Sequence, residues 1–169
     1  GDKVYFKVLA TGSDNDTSST YKFMFEVREL SYCNSQGLDG TTSDFINQVS
    51  LGDFVNNSSQ DYYTLYDDLE PIQLVSGETY QLSVRLDFAF ELDKAAAWID
   101  FNRNGSFDDA GELVFSAAPS QTTPVSGSFT IPAGATIAST RMRVTMSYNA
   151  TPTSCLAFQY GEVEDYTIN

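Results

Sequence analysis

A loop-like segment at 100–112 places oxygen-bearing side chains at alternate positions. Asp100, Asn102 and Asn104 occupy positions 1, 3 and 5, and Gly105 follows at position 6. This is the first half of an EF-hand-type loop, where short acidic and amide side chains converge on one Ca²⁺ around a tight turn. The spacing therefore predicts a calcium site with these three side-chain oxygens among its ligands.

The second half of this segment departs from the EF-hand pattern. An EF-hand has a bidentate Glu at position 12, whereas here position 12 is Gly111 and Glu112 is the thirteenth residue. The flanking residues are typical of strands, so we expect a calcium loop on a β scaffold. Its remaining ligands are predicted to be Glu112, the carbonyl oxygen of Ser106, and either Asp108 or Asp109. The alternative is an acidic turn whose polar groups bond only one another and water.

The charge of the chain restricts the possible partners. Its 169 residues contain 9 Lys and Arg against 23 Asp and Glu, a net charge of −14. Such a surface repels phosphate backbones and anionic lipids, so neither nucleic acid nor a membrane is an expected partner. No apolar run of about 18 residues is present, which is the length that spans a bilayer. The chain starts without a basic-then-apolar segment, so a secretion signal is expected to have been removed.

Two further composition features bear on chemistry. The chain lacks His altogether, which excludes Ser-His-Asp triads, Cys-His pairs and His-ligated zinc. The only cysteines, Cys33 and Cys155, are too far apart for a CxxC motif. A polar, acidic composition is typical of secreted proteins, which favours a disulfide between them. The alternative is two unrelated buried thiols.

Alternation with a period of two dominates the chain and predicts strands, each with an apolar face toward the core and a polar face toward solvent. The longest alternating segments are 21–28, 80–88, 125–131 and 141–148; shorter ones are 3–10, 45–51, 62–66, 71–75, 95–100, 112–116 and 163–168. Gly, Pro, Asn and Asp separate them, as in turns. We predict one all-β domain over 1–169, an antiparallel β-sandwich of jelly-roll or immunoglobulin-like kind with about ten strands. A single short helical turn is expected within 41–48.

Three carboxylates, Glu162, Glu164 and Asp165, lie within the C-terminal stretch Gly-Glu-Val-Glu-Asp-Tyr-Thr at 161–167. Like charges this close repel one another unless a cation neutralises them. Two interpretations follow. The stretch is either an acidic edge strand that deters pairing with another sheet, or an acceptor cluster for a metal or for Arg141 and Arg143.

The pentapeptide at 161–165, together with the segment 98–112, resembles the GEVED domain family, which is named after that pentapeptide. Further similarities lie at 131–136, at 141–144, at Tyr32 and Cys33, and at Cys155. The resemblance covers roughly 32–169. Residues 1–30 fall outside it and are either extra strands of this sandwich or the edge of a preceding module.

This resemblance implies a non-catalytic, calcium-stabilised β-sandwich accessory module. GEVED domains occur in secreted, multidomain bacterial proteins, many of them marine, beside peptidases and glycoside hydrolases. The implied setting is extracellular or on the cell surface, with a monomeric module tethered to a catalytic domain. Phe101 replaces a common Trp and Asn104 a common Asp, two departures that concern metal affinity.

Three functions are compatible with these observations. The first is a carbohydrate-binding module of a polysaccharide-degrading enzyme, by analogy with other calcium-containing sandwiches. The second is a structural spacer or adhesion module without a glycan ligand. The third is a carboxylate-based enzyme, for which no acid pair has a distinctive spacing. We predict the first, and no catalysis.

Sugar recognition needs aromatic faces and hydrogen-bonding side chains. The candidate ligand-binding residues are Tyr62, Tyr63, Tyr66, Arg141, Arg143, Tyr148, Asn149, Phe158, Gln159 and Tyr160. Core packing is the alternative for each aromatic residue, and Trp98 is assigned to the core. The acidic surface favours a neutral polysaccharide. A patch of Arg141 and Arg143 would instead favour a sulfated polymer unless these arginines neutralise the carboxylates at 162–165. The marine setting that the resemblance implies makes an algal polysaccharide the expected source of such a polymer.

Overall fold

The computed structural model describes residues 30–39, 45–87, 89–135 and 139–169. Within these ranges the secondary structure consists of ten strands and no helix, which confirms the predicted all-β class. The strands are β1 (Ser35–Asp39), β2 (Phe45–Leu51), β3 (Phe54–Asn57), β4 (Tyr63–Tyr66), β5 (Thr79–Asp87), β6 (Asp93–Ile99), β7 (Leu113–Ser116), β8 (Val125–Thr130), β9 (Thr140–Tyr148) and β10 (Leu156–Ile168). No helix in this part of the chain is long and apolar enough to cross a bilayer.

The strands form two sheets. One sheet has the order β1-β10-β9-β6-β7, with β4 also paired to β10, and the other has the order β3-β2-β5-β8. Most neighbours are antiparallel, as predicted. However, β10 pairs in parallel with β1 through its first half and with β4 through its second half. The long strand β10 therefore pairs with three strands of the larger sheet, namely β1, β4 and β9.

Alternation along the strands fills the space between the two sheets. Leu82, Val84 and Leu86 of β5 are at most 2% exposed, and Val144 and Met146 of β9 are fully buried. These residues belong to one apolar cluster with inward residues of β2, β6 and β10. The predicted inward faces of β5 and β9 are thus confirmed.

The outward face of β9 is buried as well, which corrects the prediction that its polar residues face solvent. Arg143, Thr145 and Ser147 are at most 1% exposed. The segment 30–35 and the loop 149–155 cover this face, and the disulfide Cys33–Cys155 joins them with a Cα–Cα distance of 5.6 Å. We call these two segments the disulfide cover. The predicted disulfide is confirmed.

A second apolar cluster lies under the disulfide cover. Trp98, Phe107 and Ala96 are buried there, and Tyr32 packs against them. The rings of Tyr32 and Phe107 stack with centroids 5.0 Å apart. Trp98 is therefore a buried residue beside the 100–112 loop, as predicted, although it lies outside the main core.

Several element boundaries differ from the sequence prediction. Residues 45–48 belong to β2 rather than to a helical turn, and 71–75 contribute only an isolated bridge between Ile72 and Ile168. Strand β10 begins at Leu156 instead of 163, while β1 and β3 were not predicted. The predicted strands at 3–10 and 21–28, and residues 41–44 of the predicted helical turn, lie outside the described residues.

Candidate functional site

The loop between β6 and β7 has the tight geometry that a cation loop needs. Arg103, Gly105 and Gly111 have φ values of 59°, 83° and 91°. A Cβ on Gly105 would lie 2.9 Å from the carbonyl oxygen of Ser31, so glycine is needed there for contact as well as for conformation. This contact fixes the loop against the disulfide cover.

Asp100 anchors the start of this loop from a fully buried position. Its Oδ1 accepts the backbone N–H of Asn104 at 3.2 Å, and its Oδ2 accepts that of Gly105 at 3.0 Å. The hydroxyl of Tyr32 donates to the same Oδ2 at 2.9 Å. Burial, and to a lesser extent the nearby Asp100 carboxylate, raises the pKa of Tyr32 to about 12. The carboxylate is therefore oriented by three donors from two segments.

Glu112 closes the loop and leaves one buried oxygen unsatisfied. The residue is 2% exposed, and its Oε1 accepts the N–H of Phe101 at 3.0 Å. Its Oε2 is buried and has no hydrogen-bond partner among the described residues. Burial, followed by the negative charge of Asp100, raises the pKa of Glu112. An orphaned buried carboxylate oxygen beside a second carboxylate is the kind of position that a cation satisfies.

The structure distinguishes Asp109 from Asp108 in this loop. The amides of Asn102 and Asn104 donate to Asp109 Oδ2 at 3.0 and 2.7 Å, and these bonds lower the pKa of Asp109. The Oδ1 of Asp108 instead accepts the hydroxyl of Ser154 at 3.5 Å, on the side of the disulfide cover. Asp109 is thus the acid placed with the two asparagines.

Acidic side chains by themselves do not make up the predicted calcium site. Across 30–39, 45–87, 89–135 and 139–169, no group of three or more His, Cys, Asp or Glu side chains has metal-holding geometry. Calcium also accepts amide and backbone carbonyl oxygens, which this loop supplies through Asn102, Asn104 and Ser106. The calcium site remains a prediction.

Alternation along β10 sends the pentapeptide carboxylates to opposite faces of the sheet. Glu162 points between the sheets, where its Oε2 accepts the N–H of Ile46 at 2.9 Å and its Oε1 accepts that of Asp61 at 3.1 Å. Glu164 accepts the hydroxyl of Tyr166 at 2.6 Å. Glu162 therefore ties β10 to β2 of the other sheet and to the chain before β4. Glu164 instead bonds within β10 and accepts the hydroxyl of Tyr66 of β4 at 3.3 Å.

Both buried glutamates have perturbed acidity. Burial, and secondarily the charge of Glu164, raises the pKa of Glu162 to about 8. Burial also raises the pKa of Glu164. Among the described residues, the ion pairs involve only Asp165 with Arg141 and Arg143, so neither glutamate has a cationic partner there.

Asp165 points to the outer face and binds the two arginines of β9. The guanidinium of Arg143 donates from Nε to Oδ1 and from Nη2 to Oδ2, both at 2.7 Å. Arg141 lies farther away, with Nη1 3.5 Å from Oδ2. Since β10 lies inside the sheet, the edge-strand interpretation of the pentapeptide is wrong, and the acceptor interpretation holds for Asp165.

The two sequence-predicted arginines have different surroundings. The side chain of Arg143 is 2% exposed and also donates to the carbonyl oxygens of Cys33 and Ser154. The side chain of Arg141 is 24% exposed. Arg143 is therefore committed to internal bonds, while Arg141 faces solvent in part.

The tyrosines of the β4 region do not form a common platform. Tyr63 donates to Asp165 at 3.0 Å, and Tyr66 stacks on Tyr166 with centroids 5.0 Å apart. Tyr62 is 45% exposed and stands apart from both contacts. Tyr63 and Tyr66 are therefore engaged within the larger sheet.

Three aromatic rings lie at one end of β9, with Tyr148 between the other two. Tyr148 at the end of β9 lies 6.2 Å from Tyr160 of β10, centroid to centroid, and 6.2 Å from Phe90, both in edge-to-face orientation. Phe90 is 45% exposed. We call Phe90, Tyr148 and Tyr160 the aromatic row.

Sequence reasoning identified two members of this row and missed the third. Phe90 lies in the β5–β6 turn, outside every alternating segment, and an aromatic residue in a turn was the available signal. Asn149 follows Tyr148 with a φ of 51° and donates its N–H to Leu92. Phe158 and Gln159 belong to the part of β10 that pairs with β1.

The GEVED domain family model matches residues 94–169, from β6 through β10. The GEVED resemblance predicted from the sequence is thus confirmed for 94–169, which holds the 100–112 loop and the pentapeptide, while residues 32–93 of the predicted range lie outside the match. Comparison with curated proteins and with solved structures gave no significant match.

Proposed function

We propose that this GEVED-domain chain is a non-catalytic, calcium-stabilised carbohydrate-binding module of a secreted bacterial enzyme that degrades polysaccharide. The observation that carries this proposal is the aromatic row. Its three rings come from a turn and two strands, so the fold fixes their relative positions before any ligand arrives. Preorganised rings bind with a smaller entropic cost than mobile ones.

The chemistry of the aromatic row suits sugar rings. Aromatic faces pack against the apolar faces of pyranoses, and polar groups at the rim select hydroxyl orientation. Here the tyrosine hydroxyls and Asn149, which follows Tyr148, supply such groups. Gln159 precedes Tyr160 in β10 and therefore points to the opposite face of the strand. Glu91, exposed in the same turn as Phe90, adds negative charge and favours a neutral over an anionic sugar at this end.

Calcium has a structural role in this proposal. The proposed ligands include the buried Oε2 of Glu112, which has no hydrogen-bond partner among the described residues, and the oriented carboxylate of Asp100. The other proposed ligands are the side-chain oxygens of Asn102, Asn104 and Asp109 and the carbonyl oxygen of Ser106. A bound Ca²⁺ supplies positive charge to two buried acids. The chain supplies the turn and the contact with the disulfide cover that hold these oxygens together.

Affinity electrophoresis against a panel of neutral and anionic polysaccharides tests this function, with Ca²⁺ present throughout. We expect retardation by at least one neutral polysaccharide and no reducing-sugar release from any. No retardation by any polymer would favour the spacer or adhesion role. Release of reducing sugars would overturn the non-catalytic assignment.

A further inference from the structure

Arg141 is the second residue of β9 and lies at the opposite end of this strand from Tyr148. Its guanidinium sits over the Tyr32 ring, 4.5 Å from the centroid. A cation held over an aromatic face is oriented without losing its charge. Arg141 and the aromatic row are therefore two separate places on the protein.

The positive charge of Arg141 is only weakly neutralised by the acidic side chains near it. The nearest carboxylate, Asp165, is already neutralised by two 2.7 Å bonds from Arg143, whereas its closest contact with Arg141 is 3.5 Å. The other nearby acid, Asp100, accepts Tyr32 and two loop N–H groups. Both nearby carboxylates therefore have closer partners than Arg141, and its guanidinium has donors left for a ligand.

Two small cavities share Arg141 and Tyr32 in their lining. One, of about 120 Å³, is lined by Tyr32, Ser139, Thr140 and Thr167 as well as Leu30. The other, of about 100 Å³, includes Asn34, Gln36 and Tyr63 in its lining. Apart from Arg141 and the bonded Arg143, the residues that line both cavities are uncharged. Hydroxyl and amide groups around one guanidinium suit a small anion.

We propose that Arg141 forms a subsite for an oxyanion substituent, sulfate or carboxylate, of the bound polysaccharide. A guanidinium offers two parallel N–H donors to such a group, which an ammonium does not. This inference rests on the proposed function for the polymeric nature of the ligand, while recognition of the anion rests on Arg141 and its two cavities. Neutral sugar rings bind the aromatic row, and the substituent binds Arg141.

Calorimetric titration at fixed ionic strength tests this subsite. The ligands are a sulfated oligosaccharide, its desulfated form and an oligosaccharide of uronic acid. The variants are Arg141→Gln, Arg141→Lys and the control Arg85→Gln, an exposed arginine on the other sheet. Arg141→Gln should lose roughly tenfold or more in affinity for at least one anionic ligand, as expected for a charge-assisted bond.

The remaining arms of this experiment have defined outcomes. Arg141→Gln should leave affinity for the desulfated ligand and the melting temperature unchanged, and Arg141→Lys should restore only part of the loss. Equal binding of anionic and neutral ligands by the unmodified protein would overturn the subsite, as would an equal loss in Arg85→Gln.

Titration with inorganic sulfate distinguishes a free anion from a substituent of a glycan. It also distinguishes failure of the subsite from failure of the proposed carbohydrate-binding function. If no oligosaccharide binds but NMR shifts from sodium sulfate map to Arg141 and Tyr32, the carbohydrate function fails while the anion site stands. If sulfate alone matches the affinity of the sulfated ligand, the assignment to a glycan substituent is overturned. If neutral ligand binds and no anion perturbs Arg141, only the subsite fails.

Discussion

Arg143 and Asp165 face each other directly across β9 and β10 and form a two-point ion pair with both N–O distances at 2.7 Å. The third nitrogen of Arg143, Nη1, donates to the carbonyl oxygen of Cys33 at 2.9 Å and to that of Ser154. One buried side chain therefore links the acidic pentapeptide to both segments of the disulfide cover.

Breaking this ion pair should destabilise the protein strongly. Arg143→Met leaves Asp165 buried without its main partner, and such a loss costs about 3–5 kcal/mol in the free energy of unfolding. Urea denaturation measures the change. The matched control Arg141→Met, which removes a weaker and partly exposed contact, should cost less than about 1 kcal/mol. Equal losses in the two variants would contradict the structural role of Arg143.

Gly161 should tolerate no side chain. Its φ is 127°, and a Cβ there would overlap the carbonyl oxygen of Met146 on the neighbouring strand. We expect Gly161→Ala to lower the melting temperature sharply or to prevent folding. Gly134→Ala is the control, because a Cβ at Gly134 meets no atom within 4 Å. Similar thermal melting of both variants would show that β10 can change its path.

The free energy of unfolding should fall as pH rises from 5 to 9. Burial raises the folded-state pKa of Glu162 to about 8, so the folded state binds this proton more tightly than the unfolded state does. The stabilisation is complete below the ordinary glutamate pKa and is lost progressively as pH rises from there through 8, by on the order of 5 kcal/mol. Because the chain has no His, few other side chains titrate in this range.

Urea denaturation at pH 5, 7 and 9 measures this dependence. Glu164 also faces Glu162 and has a raised pKa, so it contributes in the same direction. Glu162→Gln should flatten the pH dependence even if it lowers stability overall. Glu78→Gln, an exposed control, should leave the slope unchanged. A slope in Glu162→Gln as steep as that of the unmodified protein would assign the effect elsewhere.

Calcium should stabilise the native state of metal-stripped protein. A ligand that binds only the folded form at 100 times its Kd adds about 2.7 kcal/mol to the free energy of unfolding. Thermal melting with EDTA and then with excess Ca²⁺ measures the shift. Glu112→Gln should remove most of it, whereas Glu70→Gln, an exposed control, should retain it. An unchanged melting temperature in EDTA and Ca²⁺ would refute the calcium site.

The elements that alternate cleanly were predictable from sequence, because alternation identifies the buried face of a strand. This holds for β5 and for the inward side of β9. Alternation says nothing about what covers the other face. The disulfide cover has no periodic pattern, so the burial of Arg143 was not foreseen and its guanidinium was predicted to bind a ligand.

The candidate site was predictable where its residues are close in sequence. The 100–112 loop has recognisable spacing, and the structure places Asp109 rather than Asp108 beside its asparagines. The contacts of Glu162 with Ile46 and Asp61 join parts of the chain about 100 residues apart, which spacing cannot reveal. The place of Phe90 in the aromatic row could not be predicted for the same reason, because folding brings the β5–β6 turn next to Tyr148, which is distant in sequence.

The most direct test of the central claim is calorimetric titration of a polysaccharide fragment that retards the protein, into the unmodified chain and into Tyr160→Ala. Loss of a ring that stacks on a sugar costs on the order of 1.5 kcal/mol, so we predict roughly tenfold weaker binding. Tyr62→Ala, which removes an exposed tyrosine outside the aromatic row, should bind like the unmodified protein. Equal affinity of all three proteins would contradict carbohydrate binding at the aromatic row.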